Sequence, residues 1–452
     1  MFSLSRHHPL LNTKKYLIHV CGIVVSVCLY LLFSAAGSEG FPSLPLFYSV
    51  TALVFSCSVI AAISIQSNEI ILRSSSLLIV SAVFIWPVIF RLIAVQFYPI
   101  FEDDHYRFLW DGYVFFEYAT PYGVAPSEFF GNNSVPSSME DILGGINYPD
   151  IPTIYGPVTE LIFLLSYWLF PADIFGLQLL SALFDLGVIG VLWRVAPRWG
   201  AVLYAWSPLI IKEFSLTAHP DIYAVFFLGV SFLCLKKNYQ VACMVFLAIA
   251  VCTKVFAILL VPLFAIRCRW FTWPIFVVVV GAIYAPFYYL NNADLYGLFA
   301  FAQNWQFNGS IVVLLNQIFD IHTTKIITAL LFCCLYAVYW FYFVLGKKAD
   351  IRGDWVFAVF FLLAPVVNAW YLVWLLFFAA IYPSLWAWFA SFMILLSYVN
   401  GFNILDGTLE LYEQPHWARW LEYGSVIAVW VIEVIVIRTS SELRAQKKAS
   451  SL

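Results

Sequence analysis

Long apolar runs separated by short polar segments are the dominant pattern along the 452-residue chain. The first three runs predict helices near residues 15–36, 44–65 and 75–97, and later runs such as "PIFVVVVGAIYAPF" repeat the pattern. A helix of about 20 apolar residues crosses the hydrocarbon core of a bilayer, whereas a membrane β-barrel needs alternating segments of about ten residues. The sequence therefore predicts an all-α polytopic membrane protein with roughly 11–13 crossings.

Two apolar stretches are too short to span comfortably. They are Tyr155–Pro171 and the two halves of residues 240–266. Half-helices and interfacial helices are tolerated in a membrane protein only against other protein or a wet cavity. These stretches are therefore expected to border a cavity or to lie along the interface.

Composition supports the membrane class and narrows the partners. Hydrophobic residues make up 63% of the chain and charged residues 11%, whereas soluble domains carry roughly 25% charged residues. The net charge of −3 gives no reason to expect a nucleic-acid partner. The apolar composition makes the lipid bilayer the first expected partner. The nine cysteines lie mostly inside apolar runs without metal-ligand spacing, and no cofactor is expected.

The distribution of basic residues predicts the orientation and the division of the chain. Arg6, Lys14 and Lys15 precede the first apolar run, which lacks a convincing cleavage site, so the N-terminus is expected in the cytoplasm. Residues 1–97 then form N-terminal transmembrane helices, and residues 98–156 form an extracytoplasmic loop. Residues 157–438 form a transmembrane bundle with short outer loops, followed by a basic cytoplasmic tail over residues 439–452.

The outer loop opens with three consecutive carboxylates, Glu102, Asp103 and Asp104. The stretch that follows, "DHYRFLWDGYVFFEYA", mixes polar and aromatic residues with the spacing of a helix lying on the membrane surface. The loop is the longest polar stretch in the chain, and long structured loops are usually functional. We therefore expect the acidic cluster to be part of a functional site.

Several cations fall on the predicted outer side or inside apolar segments. In membrane proteins, basic residues concentrate in the cytoplasmic loops, and Arg107, Lys212 and Lys254 depart from this rule. Lys254 also has no opposite charge nearby in the sequence. A cation at the bilayer centre costs about 2.5–3.5 kcal/mol on insertion scales. Lys254 is therefore expected to face a cavity or an anionic partner, unless it extends to the interface.

These residues suit one kind of chemistry. Adjacent carboxylates repel, so one of them needs a raised pKa or a cation or metal beside it. A carboxylate can accept a proton from an alcohol while Arg107, Lys212 and Lys254 hold a lipid-linked phosphate. The alternative is that Asp103 and Asp104 only cap the surface helix, because acidic residues favour helix N-termini.

The remaining candidates support binding. "HPD" places His219 and Asp221 at the start of a helix, where Pro220 and Asp221 are equally well explained by capping. The aromatic residues Trp305, Trp370 and Tyr371 can stack on sugar faces or hold isoprenoid tails. Membership of an aromatic belt at the membrane interface is the alternative for each.

An ordered set of motifs resembles a known class of enzymes. "EDDHYRFLWDG", "TPYGVAP", "YGPVTELIF", "AWSPLIIKEFSLTAHPD", "CTKVFAILLVP" and "NAWYLVW" resemble the GT-C class of integral membrane glycosyltransferases, and most of all polyprenyl-phosphate-mannose-dependent mannosyltransferases. The resemblance implies a helical bundle that supports two surface helices in the first large outer loop. It also implies a catalytic acid at the start of that loop and a sugar donor carried on dolichyl or undecaprenyl phosphate.

Carried over residue by residue, the acidic motif covers Glu102, Asp103 and Asp104, with Asp103 favoured as the base. The second outer loop of the class corresponds to His219 and Asp221, and its following lysine to Lys254. The resemblance implies inverting transfer of a hexose, mannose first, to a glycan, glycolipid or protein acceptor. Most members of the class work without a metal, so none is assigned. In many members of the class the acidic motif follows one transmembrane helix, whereas in this chain it follows three predicted helices.

Two other functions fit parts of the pattern. A secondary transporter uses intramembrane Asp, His and Lys to relay protons, and a non-catalytic GT-C-like subunit keeps the fold without the chemistry. No second copy of the acidic motif marks the related halves that transporters often have. The expected membrane is the bacterial inner membrane, with the endoplasmic reticulum as the alternative.

Overall fold

The computed structural model describes residues 9–37, 41–67, 76–291, 293–346, 350–399 and 414–449. These residues form α-helices joined by short loops, with no β-strand among them. In chain order the helices are α1 Pro9–Ala36, α2 Leu44–Gln66, α3 Ser76–Val80, α4 Trp86–Ala94, α5 Asp104–Tyr118, α6 Ser137–Gly144, α7 Pro157–Leu169, α8 Ile174–Val195, α9 Arg198–Trp206, α10 Pro208–Ile210, α11 Asp221–Lys236, α12 Gln240–Thr253, α13 Val261–Ala265, α14 Trp273–Asn291, α15 Leu295–Asn304, α16 Ile311–Leu315, α17 Ile321–Leu345, α18 Gly353–Leu363, α19 Leu372–Ile381, α20 Leu385–Met393 and α21 His416–Ala449.

Within the described part of the chain, six helices are long and apolar enough to cross a membrane: Tyr16–Ala36, Leu44–Gln66, Leu77–Ala94, Ile174–Val195, Trp270–Tyr289 and Ile321–Leu345. The pair Pro208–Leu216 and Asp221–Lys236 passes the same test together but is bent by 113°. These helices make the protein a multi-pass integral membrane protein, as the apolar pattern predicts. The larger number of crossings, roughly 11–13, stays a prediction.

Shorter apolar helices occupy the stretches that the sequence marks as too short to span. Residues 240–266 divide into α12 and a 3₁₀ segment, Val255–Leu260, that leads into α13. The other short stretch is α7, which has 13 residues. The chain breaks between α12 and this segment at Lys254, whose extended backbone (φ −146°, ψ 127°) ends the helix. Short apolar helices are therefore present in both stretches, and their position as half-helices or interfacial helices stays a prediction.

Burial separates a central group of helices from a peripheral one. Helix α19 is buried along nearly its whole length, and so are α9 and the segment that follows it to Leu216. Helices α14 and α17 instead expose large apolar side chains such as Val277 and Leu330, which are 67% and 62% exposed. An apolar helix with this much exposed surface fits contact with lipid.

A buried ion pair ties three of the membrane-depth helices together. The guanidinium of Arg91 on α4 lies 2.8 Å from the Asp185 carboxylate on α8, and both side chains are excluded from solvent. The same guanidinium donates a hydrogen bond to the carbonyl of Ala205 on α9. Because a buried charge without a partner is costly, this pair fixes the mutual positions of α4, α8 and α9.

The chain between α4 and α7 folds into the predicted helix and several turns. Helix α5 covers "DHYRFLWDGYVFFEY", which confirms a helix in this stretch, and it packs mainly against α7. Its position on the membrane surface and the outward orientation stay predictions. Arg6, one of the basic residues on which the predicted orientation rests, lies outside the described residues. Helix α21 continues to Ala449, and residues 450–452 of the predicted tail also lie outside the described residues.

The packing of α5 on α7 depends on a glycine. A Cβ at Gly112 would lie 2.6 Å from the carbonyl oxygen of Phe163 on α7, too close for any side chain. We expect Gly112→Ala to lower the free energy of unfolding by about 1–3 kcal/mol because the two helices must separate. Thermal unfolding of the protein in detergent measures the change.

The matched control is Gly190→Ala on α8, where an added Cβ meets nothing within 4 Å. Removing a helix glycine without a clash should leave the unfolding midpoint unchanged or raise it. Equal midpoints for the two variants would contradict the close contact between α5 and α7.

Candidate functional site

A cavity of about 170 Å³ lies where α5 begins, at the same end of the bundle as the helix break at Lys254. Its wall comes from six parts of the chain: the start of α5, the loop before α7, the break after α12, the end of α15, the segment before α19 and the segment after α20. Eight of the residues singled out from the sequence line it: Glu102, Asp103, Asp104, Arg107, Lys254, Trp305, Trp370 and Tyr371. The remaining three, Lys212, His219 and Asp221, lie buried directly behind the wall.

The acidic residues are turned into the cavity by the residue before them. Phe101 has a positive φ of 58°, a conformation that costs energy for a residue with a side chain and must be held by its surroundings. Its buried ring packs edge-on against Phe47 and stacks on Tyr398, with ring centroids 5.0 and 5.7 Å away. This packing fixes the direction in which the acidic residues enter α5.

One amide joins two of the three carboxylates. Asn147 Nδ2 donates to Asp103 Oδ1 at 2.8 Å and to Asp104 Oδ1 at 3.1 Å. Asp103 is the N-cap residue of α5, but its side chain makes no hydrogen bond to the N–H groups of the helix. The position of the acids at the helix N-terminus is electrostatically favourable, yet their oxygens are directed to Asn147 and the cavity. Capping alone therefore does not account for them.

Burial beside other acids raises the proton affinity of this cluster. Removal from water raises the pKa of Asp104 to about 6, and the neighbouring Asp103 carboxylate adds to the rise. Burial also raises the pKa of Glu102 well above its ordinary value, against the attraction of Lys212. The repulsion expected from adjacent carboxylates is thus present at the site.

Behind Glu102, a buried network links three segments that are far apart in sequence. The hydroxyl of Tyr398 donates to Glu102 Oε1 at 2.9 Å and lies 2.6 Å from Glu213 Oε1. Lys212 Nζ lies 2.5 Å from the same hydroxyl, 3.2 Å from Glu213 Oε1 and 3.6 Å from Glu102 Oε1. One ammonium group is therefore shared between two carboxylates, and Tyr398 connects them.

His219 comes from the bend between two helices. The π-helical segment Ile211–Leu216 ends at a turn in which Ala218 has a φ of 58°, and α11 begins two residues after His219. The imidazole is 1% exposed and stacks on the cavity residue Trp370, with ring centroids 3.6 Å apart. Neither ring nitrogen has a hydrogen-bond partner among the described residues.

Lys254 has both an anionic partner and a cavity. Its Nζ lies 3.4 Å from Asp221 Oδ2, and the other oxygen of that carboxylate accepts a hydrogen bond from Trp374 Nε1 at 2.8 Å. The ammonium also lies 5.0 and 5.9 Å from the ring centroids of Tyr155 and Tyr371. These contacts place a cation in the wall, with one neutralising partner and open space in front of it.

Arg107 is held more tightly than Lys254. Its Nε lies 2.8 Å from Asp111 Oδ1, one helical turn along α5, and Nη1 donates to the carbonyl of Ile151 at 2.8 Å. The guanidinium therefore anchors the loop before α7 to α5 while it lines the cavity. This arrangement gives Arg107 a positioning role whether or not it contacts a ligand.

An apolar groove of about 470 Å³ opens from the cavity. It runs between α15, α17 and α18, and five residues line both spaces: Ile154, Lys254, Phe301, Val366 and Tyr371. Lys325 lies at its edge, where its Nζ donates to the carbonyls of Ala302 and Gln303 near the end of α15. Lys254 is therefore the charged residue in the wall that the acid-lined cavity and the apolar groove share.

The site contains residues that the sequence does not single out. Asn147, Glu213 and Tyr398 contact the acidic cluster, and Tyr155 lies beside Lys254. Glu213 is adjacent to Lys212 in an apolar run, so the rule that flags intramembrane charges also applies to it. Nothing local marks Asn147 or Tyr398, because their partners lie 43 or more residues away.

In comparisons with protein-family models, curated proteins and solved structures, nothing matches this chain. Its function is therefore inferred from these residues and their geometry.

The pair formed by Asp221 and Lys254 can be tested for its part in stability. Asp221→Asn keeps an acceptor for Trp374 but removes the charge opposite the Lys254 ammonium. We expect a loss of about 3 kcal/mol in the free energy of unfolding, because a partly buried cation is left without its partner. Adding Lys254→Met to Asp221→Asn should restore most of the loss.

Unfolding midpoints of the single and double variants in detergent measure this coupling. A double variant no more stable than Asp221→Asn alone would show that the two charges do not compensate each other.

Proposed function

We propose that the protein is a membrane glycosyltransferase of the GT-C type, which moves a hexose from a polyprenyl-phosphate donor to an acceptor hydroxyl. The observation that carries the proposal is the junction of an acid-lined cavity with an apolar groove at a single lysine. A lipid-linked sugar phosphate has the same three parts in the same order: a polar sugar, an anionic phosphate and an apolar chain. The motif resemblance favours mannose and a glycan, glycolipid or protein acceptor.

The carboxylate of Asp103 is suited to act as the general base. It lines the cavity and is held by Asn147, whereas Asp104 also shares a cluster with Glu102 and His219. Proton transfer from the acceptor hydroxyl to the carboxylate strengthens the oxygen as a nucleophile. The oxygen then attacks the anomeric carbon as the bond to the phosphate oxygen breaks, and the configuration at that carbon inverts.

The positive charge of Lys254 supports the departure of the phosphate. Negative charge on the leaving group grows in the transition state, and a fixed cation nearby stabilises it. Lys254 lies on the border of the two spaces, where the phosphate of a donor would stand if its lipid chain occupied the groove. Trp305 and Trp370 line the cavity on the sugar side of this border and can stack on a sugar face.

Removal of one carboxylate tests the base. We expect Asp103→Asn to lower kcat by about 10²–10⁴-fold, the usual contribution of a general base. The assay incubates purified protein with radiolabelled polyprenyl-phosphate sugars, mannose first, and acceptor membranes, and measures consumption of each donor.

Asp141→Asn is the matched control, because this exposed carboxylate on α6 belongs to the same loop and lies outside the cavity. It should keep full activity. Full activity in both Asp103→Asn and Asp104→Asn would rule out the acidic cluster as the catalytic centre.

Narrowing the groove tests the position of the lipid chain. Ala329 on α17 lines the groove and is exposed to it, so Ala329→Trp should obstruct a long isoprenoid without disturbing buried packing. We expect KM for a long-chain donor to rise about tenfold or more, the cost of losing burial for two or more methylene groups. A donor with one or two isoprene units should be affected less.

Leu330→Trp, on the next residue of α17 and outside the groove, controls for the added bulk. An equal change of KM for long and short donors in Ala329→Trp would place the lipid chain elsewhere.

A further inference from the structure

The acidic cluster and His219 form a group that the proposed chemistry leaves partly unused. Glu102, Asp104 and His219 each offer one possible ligand atom, and these atoms lie within 4.8 Å of one another. They come from the start of α5 and from the bend before α11, so packing of separate segments brings them together. Two carboxylates and an imidazole are a common ligand set for divalent transition metals.

His219 provides an observation independent of the acids. A buried imidazole normally makes hydrogen bonds through its nitrogens, yet His219 is 1% exposed and neither nitrogen has a partner in the described chain. The nearest carboxylate outside the group, Glu213 Oε2, lies 3.6 Å from Nε2, beyond hydrogen-bond distance. A metal bound to one nitrogen would supply the missing interaction.

The charges around the group also favour a bound cation. Four carboxyl groups, Glu102, Asp103, Asp104 and Glu213, belong to this group or lie beside it, and the ammonium of Lys212 contacts two of them, Glu102 and Glu213. The charges of the other two nearby cations, Arg107 and Lys254, are already paired with Asp111 and Asp221. A divalent cation bound beside Glu102 and Asp104 would therefore add positive charge where carboxyl groups are concentrated.

We propose that Glu102, Asp104 and His219 bind one divalent transition-metal ion, Mn²⁺ or Zn²⁺, at the wall of the cavity. Ligand atoms on one such ion lie at most about 4.2 Å apart at the usual bond length of about 2.1 Å, so side-chain movements of about half an ångström close the site. The imidazole selects these ions over Ca²⁺ and Mg²⁺, which prefer oxygen ligands. Three protein ligands leave further coordination positions for water or a phosphate oxygen.

The role of the ion rests on the proposed function, whereas its binding does not. Coordination of the donor phosphate by the ion would stabilise the leaving group from the side opposite Lys254. The base would then be Asp103, because Asp104 is engaged by the metal. This proposal departs from the metal-independent reaction that the motif resemblance implies.

Metal content tests the site directly. Full-length protein in detergent is stripped with a chelator, equilibrated with Zn²⁺ or Mn²⁺, desalted and counted by mass spectrometry. We expect about one ion per chain, lost in His219→Ala and bound at least tenfold more weakly in Glu102→Gln. His322→Ala, which removes an exposed histidine from α17, should keep the ion.

A spectroscopic readout decides the outcome if a variant fails to fold. Mn²⁺ bound to the wild-type protein should show nitrogen coupling in electron-spin-echo spectra, and His219→Gln should abolish it. Less than a fifth of an ion per chain, no nitrogen coupling, or full binding by both His219→Ala and Glu102→Gln would overturn the proposal.

Asp103→Asn separates the metal site from the proposed function. This variant should lose sugar transfer and keep the ion, and an ion without any transfer activity would refute only the proposed function.

Discussion

The concentration of carboxyl groups at one end of an apolar bundle is the constraint on which the rest of the site depends. Glu213 is fully buried, and Glu102 and Asp104 are half-buried, beside helices that consist mainly of hydrophobic residues. Buried carboxylates are stable only with cations, hydrogen-bond donors or bound protons nearby. Lys212, Tyr398 and Asn147 supply these partners from segments that are separated along the chain. Compensation of these charges therefore holds several helices in register at this end.

Departures from regular helix bring the polar groups to this end of the bundle. Lys254 stands at the break after α12, His219 in the bend before α11, and the acids follow the positive φ of Phe101. In an unbroken helix the backbone groups hydrogen-bond to one another and offer no partner to a polar side chain at membrane depth. A break instead exposes backbone and side chains to a cavity. The π-helical segment before the bend is a further departure from regular helix, and such segments often occur at functional sites. Irregular backbone and the candidate site thus coincide here.

The sequence predicts the helices and the acidic cluster better than it predicts the network around them. Helices α1 and α2 follow from uninterrupted apolar runs, and α5 from its mixed polar and aromatic spacing, because both signals are local. Lys254 and the acids stand out because charge is rare in an apolar chain. The contacts of Glu102 with Tyr398, 296 residues away, and of Asn147 with Asp103 depend on tertiary packing, so no local pattern contains them. The number of membrane crossings stays a prediction for a related reason. Several short helices are apolar enough for the membrane but too short to span it alone.

The position of Lys254 joins the two halves of the site into one binding surface. A purely apolar groove would bind any hydrocarbon chain, and a purely acidic cavity would repel the phosphate that the chain carries. With a cation at their border, the two spaces together favour a molecule in which an anion separates a polar group from an apolar tail. The pairing of Lys254 with Asp221 partly neutralises this ammonium, while its other side faces the cavity. For the proposed lipid-linked donor, selectivity would then follow from the order of the three environments, because each alone is unspecific.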